Sequence, residues 1–127
     1  MSVALTFIVP PPGLAPLVDF TLDQIPGAEG LYSLQSVDMP ERRMFVLDAA
    51  VYLPTYTPYL NDHECEVLDL HRPEDAMVLV VSNTSEGRPT VNLLAPIVVN
   101  TTNARCSQVI LEGQDFPIKS ELVPVAA

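Results

Sequence analysis

The sequence predicts a mainly β fold, in which an antiparallel sheet curls into a small barrel-like fold with one short helix. Thirteen prolines against five glycines indicate many short elements separated by turns, since proline interrupts helices and strand ladders alike. Valine, leucine and threonine are abundant and lysine occurs once, a balance that favours strands over exposed helix faces. About eight short apolar runs follow one another. Because open sheet edges promote aggregation, we expect sequential hairpins curled towards closure.

The first four strands are predicted from short apolar or alternating runs. Val3–Val9 is apolar and stops at three consecutive prolines. In Val18–Leu22, apolar and polar residues alternate, which is typical of a strand with one buried face. Leu31–Val37 alternates in the same way, and the strand Arg43–Asp48 follows after the short polar loop Asp38–Glu41. A loop of this length predicts a hairpin.

The one predicted helix has His63–Leu70 as its body, with Asn61 or Asp62 as its N-cap. Its brevity means that tertiary packing, rather than helix propensity, must stabilise it. Helical spacing makes three residues the candidates for its inward face. These are Cys65, Leu68 and Val67.

The second half of the chain predicts the most buried strands. Met77–Val81 is a continuous apolar run, which is typical of a central strand buried on both faces. Thr90–Asn100 contains two apolar runs on either side of Pro96, and proline cannot donate to a ladder. We therefore expect a bent strand, a turn at residues 100–103 and a partner strand in Arg105–Leu111. Residues 1–122 are predicted to form a single domain, and residues 123–127 a loose tail.

The charge balance restricts the classes of partner. Sixteen acidic residues against six basic residues give a net charge of −10. Such a chain repels nucleic acid and anionic membranes, because binding to phosphates depends on lysine and arginine. The acidity suits a basic protein partner, and an equally open alternative is that it only keeps the protein in solution.

No pattern of residues predicts a metal, a cofactor or a catalytic centre. Cys65 and Cys106 have no close spacing, so neither a zinc ribbon nor a disulfide framework is indicated. His63 and Cys65 would point about 200° apart on a helix, and His71 lies beyond its end. Val3–Val9 is too short for a membrane span and lacks the flanks of a signal peptide, so we expect a cytoplasmic protein.

One stretch resembles a known family. Thr90-Val-Asn-Leu-Leu-Ala-Pro-Ile-Val-Val-Asn100, followed by Gln108-Val-Ile-Leu111, closely resembles the signature of the flagellar assembly factor FliW family. Leu34-Gln-Ser36 matches the family's aromatic-x-Leu-Gln-Ser strand. The resemblance extends from Pro11 to about Leu122.

Other segments match the family less closely. Pro11-Pro-Gly-Leu14 and Phe20-Thr-Leu22 fit its Pro-x-Gly-Leu and Phe-x-Leu segments, whereas Ala15-Pro-Leu17 departs from the Pro-Gly-Phe between them. Pro54-Thr-Tyr56 matches Pro-Asp-Tyr with threonine in place of the acid.

The resemblance implies a function that the composition does not show. It implies a cytoplasmic, non-enzymatic factor that is a monomer when free and binds the RNA-binding translational regulator CsrA. Binding would relieve the repression of flagellin mRNA by CsrA, and flagellin would compete for the factor. The rival hypothesis is a small-molecule-binding or enzymatic β-barrel, which would show a pocket lined by convergent polar groups.

Seven residues are candidates for contact with a protein partner. Tyr56 and Tyr59 are favoured because tyrosine is enriched at interface hot spots, although half-buried core tyrosines would give the same pattern. Asn92 and Asn100 fit turn or bulge positions as well as recognition, and the turn role is favoured. The candidates are Leu34, Gln35, Ser36, Tyr56, Tyr59, Asn92 and Asn100.

Overall fold

Nine strands form one sheet in the computed structural model, which describes residues 2–11, 13–53, 56, 58–83, 90–111, 113–114, 116 and 120–121. The strands are Ser2–Phe7 (β1), Asp19–Gln24 (β2), Leu31–Ser36 (β3), Arg43–Asp48 (β4), Ala76–Asn83 (β5), Thr90–Val91 (β6), Ile97–Asn100 (β7), Arg105–Gln108 (β8) and Ser120–Glu121 (β9). The predicted hairpin of β3 and β4 is confirmed, with Leu31 opposite Leu47 and Gln35 opposite Arg43.

Seven of the strands close into a barrel, which confirms the predicted fold class. The order around it is β1, β2, β3, β4, β5, β7, β8, and β8 returns to β1. The β1–β8 pair is parallel, with Thr6 opposite Arg105 and Phe7 opposite Cys106. The expectation of sequential antiparallel hairpins was therefore wrong at this seam, where distant parts of the chain meet. β6 and β9 extend the sheet beyond the far end of β5.

The barrel interior is filled by apolar side chains from alternate positions of its strands, as the pleat of a strand requires. Phe7 and Phe20 meet edge to face at its centre, with ring centroids 5.1 Å apart. Phe20, Leu34 and Ile97 have no exposed surface. The buried residues of this interior cluster are Leu5, Phe7, Leu17, Phe20, Leu22, Leu34, Val46, Leu79, Ile97, Val99 and Cys106.

Two smaller apolar clusters lie outside the barrel, where short helices cover part of the sheet. The helices are Ala49–Tyr52 (α1) and Asp62–Val67 (α2), and a 3-10 turn spans Pro73–Asp75. Leu79 belongs to the interior cluster and Val80 to an outer one, and both are fully buried. The prediction that β5 is buried on both faces is confirmed.

Three details of the helix prediction were wrong. The described residues contain α1 as well as α2, and α2 ends at Val67 rather than at Leu70. Val67 points outward and is 41% exposed, whereas Leu68 is fully buried. The predicted cap is confirmed, because the Asn61 side chain accepts from the Glu64 backbone and the Glu64 side chain accepts from the Asn61 backbone.

Regular strand pairing is interrupted around Pro96. β6 ends at Val91 and β7 begins at Ile97, and between them the Leu94 and Pro96 carbonyls still accept from the N–H groups of Leu111 and Val109. The side-chain oxygen of Asn92 accepts hydrogen bonds from the backbone N–H groups of Leu94 and Ala95, each at 3.1 Å. This local turn competes with strand pairing, which explains why the strand predicted through Leu94 is interrupted. Residues 54–55, 84–89 and 123–127 lie outside the described part of the chain.

Candidate protein-binding surface

The described residues do not bring together a metal site. Within them, no group of three or more His, Cys, Asp or Glu side chains converges. Both cysteines are free thiols, and burial raises the pKa of Cys106 to about 12, so this thiol stays protonated at neutral pH. None of the helices among these residues has the length and apolar character needed to cross a bilayer.

Three of the seven candidate contact residues are buried, so their side chains do not face a partner. Leu34 lies in the barrel interior with no exposed surface, and Ser36 is 2% exposed. The Ser36 hydroxyl accepts from the Met39 backbone N–H at 3.0 Å and thereby shapes the β3–β4 loop. The strand alternation had left open which face of β3 was inward, and closure of the barrel decides it.

Asn100 is the third buried candidate, and all its polar atoms are used inside the protein. Its amide nitrogen donates to the carbonyl oxygens of Leu68 and Asp69, both at 2.9 Å. Its side-chain oxygen accepts from the backbone N–H of Thr102 at 2.9 Å and from the hydroxyl of Thr102 at 2.7 Å. Asn100 therefore joins the segment after α2 to the turn between β7 and β8.

Three more candidates also use their polar groups internally. Tyr56 is half-buried, packs edge to face on Phe116 with ring centroids 5.0 Å apart, and donates its hydroxyl to the Leu93 carbonyl. Burial raises the pKa of Tyr56 to about 12. The Gln35 amide donates to the Pro40 carbonyl at 2.6 Å, and Asn92 forms the turn described above. These polar groups already have hydrogen-bond partners inside the protein, where they stabilise the fold.

Tyr59 is the one candidate that is widely open to solvent, with 68% of its surface exposed. Its backbone is nevertheless fixed. The side-chain oxygen of Gln114 accepts from the Tyr59 N–H, and the Gln114 amide donates to the Tyr59 carbonyl, both at 2.8 Å. An exposed aromatic ring on a fixed backbone is a common feature of interface hot spots, because little freedom is lost on binding.

Tyr59 belongs to a larger surface beside α2, which we call the α2 surface. It consists of Tyr59, His63, Glu64, Val67, Ile110 and Gln114. Ile110 lines two clefts: one is also lined by Tyr59 and Gln114, and the other by Val67 and Gln108. Glu64 lines both clefts. The surface thus combines exposed apolar side chains with the acidic helix α2.

Ile110, which no sequence pattern singled out, is 55% exposed between two buried neighbours. Just beyond the end of β8, Val109 and Leu111 are buried and donate to the Pro96 and Leu94 carbonyls, so alternation along this extended segment turns Ile110 outward. The signal was present but was hidden in the continuous run Val109-Ile-Leu111, which also fits a strand buried on both faces.

The fold and this surface define a closed seven-stranded β-barrel that carries an exposed apolar and acidic face outside the barrel. The chain belongs to the FliW family, since the family model described as FliW protein matches residues 2–122. The chain is similar to the flagellar assembly factor FliW of Syntrophus aciditrophicus, with 37% identity over 91 residues, covering 70% of this chain and 58% of that protein. It is also similar to the flagellar assembly factor FliW of Pseudothermotoga lettingae, with 31% identity, covering 85% of this chain and 70% of that protein.

A solved structure agrees with this assignment. The crystal structure of the flagellar assembly factor FliW superposes with a TM-score of 0.86 at 30% identity, covering 95% of this chain and 86% of that one. The aligned part of the chain spans 52% of the length of the FliW from Geotalea uraniireducens. It therefore corresponds to little more than half of some relatives.

Proposed function

We propose that this chain is a non-enzymatic, cytoplasmic FliW factor that binds a CsrA-type translational regulator and relieves its repression of flagellin mRNA. Flagellin is the competing partner. The observation that carries this proposal is membership of the FliW family over residues 2–122. Two free cysteines support a reducing compartment, where disulfides are rare.

The packing of the barrel supports a binding role over the rival small-molecule function. Large apolar side chains without exposed surface, such as Phe20 and Leu79, occupy its interior. The cleft between α2 and the 3-10 turn has a volume of about 370 Å³, which lies within the range of small ligand sites. Its charged or titratable edge groups, His71 and Arg72, are however exposed and paired with Asp69 and Glu74. A small ligand is oriented by polar groups that converge on it, and these residues do not supply such groups.

Electrostatics provide a physical route from binding to derepression. A net charge of −10 on 127 residues creates a negative field around the protein. When such a protein sits beside the basic RNA-binding surface of its partner, it attracts that partner and repels RNA phosphates. The complex then binds RNA more weakly than the free regulator does.

Inhibition of RNA binding is therefore expected to weaken as salt rises from low to physiological concentration. The reason is that screening shortens to about 8 Å at physiological ionic strength. The measurement is a titration of the regulator–RNA complex with this protein at three ionic strengths. The affinity of the regulator for RNA is measured separately at each, because that affinity itself depends on salt.

Each result of the titration has a definite meaning. If inhibition is equal at all ionic strengths, the electrostatic mechanism is rejected, whereas binding to the regulator is still supported. Unchanged RNA binding at every salt concentration, together with the absence of a complex in gel filtration, would refute the proposed function.

A further inference from the structure

We propose that the α2 surface is the docking site for a basic protein segment that presents two neighbouring apolar side chains, one for each cleft beside Ile110. The proposal rests on the proposed function, because it assigns the regulator to this surface, and it adds the place and chemistry of the contact. Apolar contacts with this surface hold the regulator, and attraction between its basic charge and the acidic helix α2 determines where it binds.

The shape of the surface supports two separate anchors. The cleft between Ile110 and Tyr59 has a volume of about 330 Å³, and the cleft between Ile110 and Val67 about 230 Å³. The first volume is close to the lower limit for sites that enclose a small molecule, and the second lies below it. They suit single inserted side chains, one in each cleft that Ile110 lines.

The α2 surface places exposed apolar side chains at the borders of clefts. Among the described residues, nine large hydrophobic side chains are exposed, and three of them, Tyr59, Val67 and Ile110, border these two clefts. Single exposed apolar residues are normal on a protein surface, whereas a contiguous group that flanks clefts marks an interaction site. Burial of these three side chains would supply the hydrophobic part of the binding energy.

Gln114 acts as a positioning residue for this surface. The Gln114 side chain accepts from the N–H of Tyr59 and donates to the carbonyl of Tyr59. The backbone N–H of Gln114 donates to the Leu111 carbonyl at 3.3 Å. The two segments that border the first cleft, around Tyr59 and around Ile110, are thereby held together. A preformed cleft lowers the entropy cost of binding.

Charge decides which occupant fits. Asp62, Glu64 and Glu66 lie along α2, and no lysine or arginine is among the described residues that line the two clefts. A second copy of this chain would carry its own charge of −10 to the surface, and nucleic acid would carry phosphates, so both are repelled. A segment with lysine or arginine beside its apolar anchors is attracted.

The β3–β4 hairpin provides a matched contrast on another part of the barrel. It exposes Val37 (53%) and Phe45 (41%), and the Arg43 guanidinium lies 5.0 Å from the centroid of the Phe45 ring. Arg42 is exposed in the same hairpin. Asp38 and Glu41 are exposed there too, so two acids offset the two arginines and this hairpin lacks the net negative charge of α2. It therefore attracts a basic partner less strongly than the α2 surface does. Val37 has nearly the same exposure as Ile110 and therefore serves as the control position.

The test measures the affinity of the purified CsrA-type regulator for the wild type and for single variants. Ile110→Ser is expected to weaken binding about tenfold or more, because it removes the side chain between the two anchors. Val37→Ser is expected to change the affinity less than about twofold, since Val37 lies outside the α2 surface. Thermal melts of each variant confirm that it is folded, and Val67→Ser replaces Ile110→Ser if that variant is unfolded.

A double-mutant cycle tests the positioning role. Gln114→Leu is expected to weaken binding severalfold in the wild type but to have little further effect in Tyr59→Ala, because its action passes through Tyr59. If the effects of the two changes are independent and additive, Gln114 does not act by positioning Tyr59.

The outcomes separate this proposal from the function on which it rests. If the regulator binds the wild type and Ile110→Ser equally well, while Val37→Ser weakens binding, the α2 surface is overturned and the proposed function stands. If all variants bind equally, the surface is overturned as well. If the wild type does not bind the regulator, the proposed function fails, and this assignment fails with it.

Discussion

Replacing Asn100 by leucine is expected to lower the free energy of unfolding by about 3–5 kcal/mol. The four hydrogen bonds of this side chain would be lost at a residue that is 1% exposed. The buried carbonyl of Leu68 would be left without a partner, which costs about 1–3 kcal/mol. The part-buried groups of Asp69 and Thr102 would lose their protein partners as well. Asp69 also has a φ of +54°, a conformation that the bond from Asn100 helps to hold.

Chemical denaturation of the wild type, Asn100→Leu and Asn103→Ala measures this effect. Asn103 is a suitable control, because it is exposed and its side chain accepts one hydrogen bond, from the Arg105 N–H at 2.9 Å. Its replacement is expected to cost about 1 kcal/mol or less. Equal losses at the two positions would show that Asn100 does not hold the segment after α2 to the barrel.

Replacing Ile97 by alanine is expected to lower the free energy of unfolding by about 2–5 kcal/mol, because it leaves a cavity in the closed interior. Ile97 has no exposed surface and belongs to the interior cluster. Leu94, only three residues earlier, is half-buried and packs at the edge of an outer cluster. Leu94→Ala is therefore expected to cost less than Ile97→Ala, since the site can collapse or fill with solvent.

Comparison of Leu94→Ala with Ile97→Ala shows how much each of the two apolar runs beside Pro96 contributes to stability. Denaturant unfolding with unchanged slope would give the two stability losses directly. If Leu94→Ala costs as much as Ile97→Ala, the loop over residues 92–96 is packed as tightly as the barrel interior, contrary to the structure.

Local patterns predicted those parts of the fold that depend on local physics. The hairpin of β3 and β4 follows from its alternation and short loop, and the cap of α2 follows from Asn61 and Glu64. The double burial of β5 follows from its continuous apolar run. Each of these features is determined by residues close together in the sequence, where periodicity and capping act.

Features that depend on closure of the barrel could not be predicted from local sequence patterns. The parallel pairing of β1 with β8 joins residues about one hundred positions apart, and no local pattern encodes it. Closure also decides that Leu34 faces inward, which removes it from the contact candidates. Asn100 looked like a turn residue at the end of a strand, whereas its amide reaches two carbonyls after α2, more than thirty positions earlier.

The candidate surface was predicted only in part, for a related reason. Tyr59 was singled out by residue type, and the structure places it at an exposed position on a fixed backbone. Helical spacing made Val67 a candidate for the inward face, and Ile110 lay inside a continuous apolar run, so neither was predicted to be exposed. Their exposure depends on where α2 ends and on which neighbours of Ile110 are buried, which tertiary packing determines.

The proposed function requires that this protein bind a CsrA-type regulator and that flagellin compete for it. Both are tested by a calorimetric titration of the regulator into this protein, first alone and then after saturation with flagellin. We expect saturable binding in the first titration and a large loss of apparent affinity in the second. Absence of binding in the first titration would contradict the claim, and binding of undiminished affinity in the second would contradict the competition by flagellin.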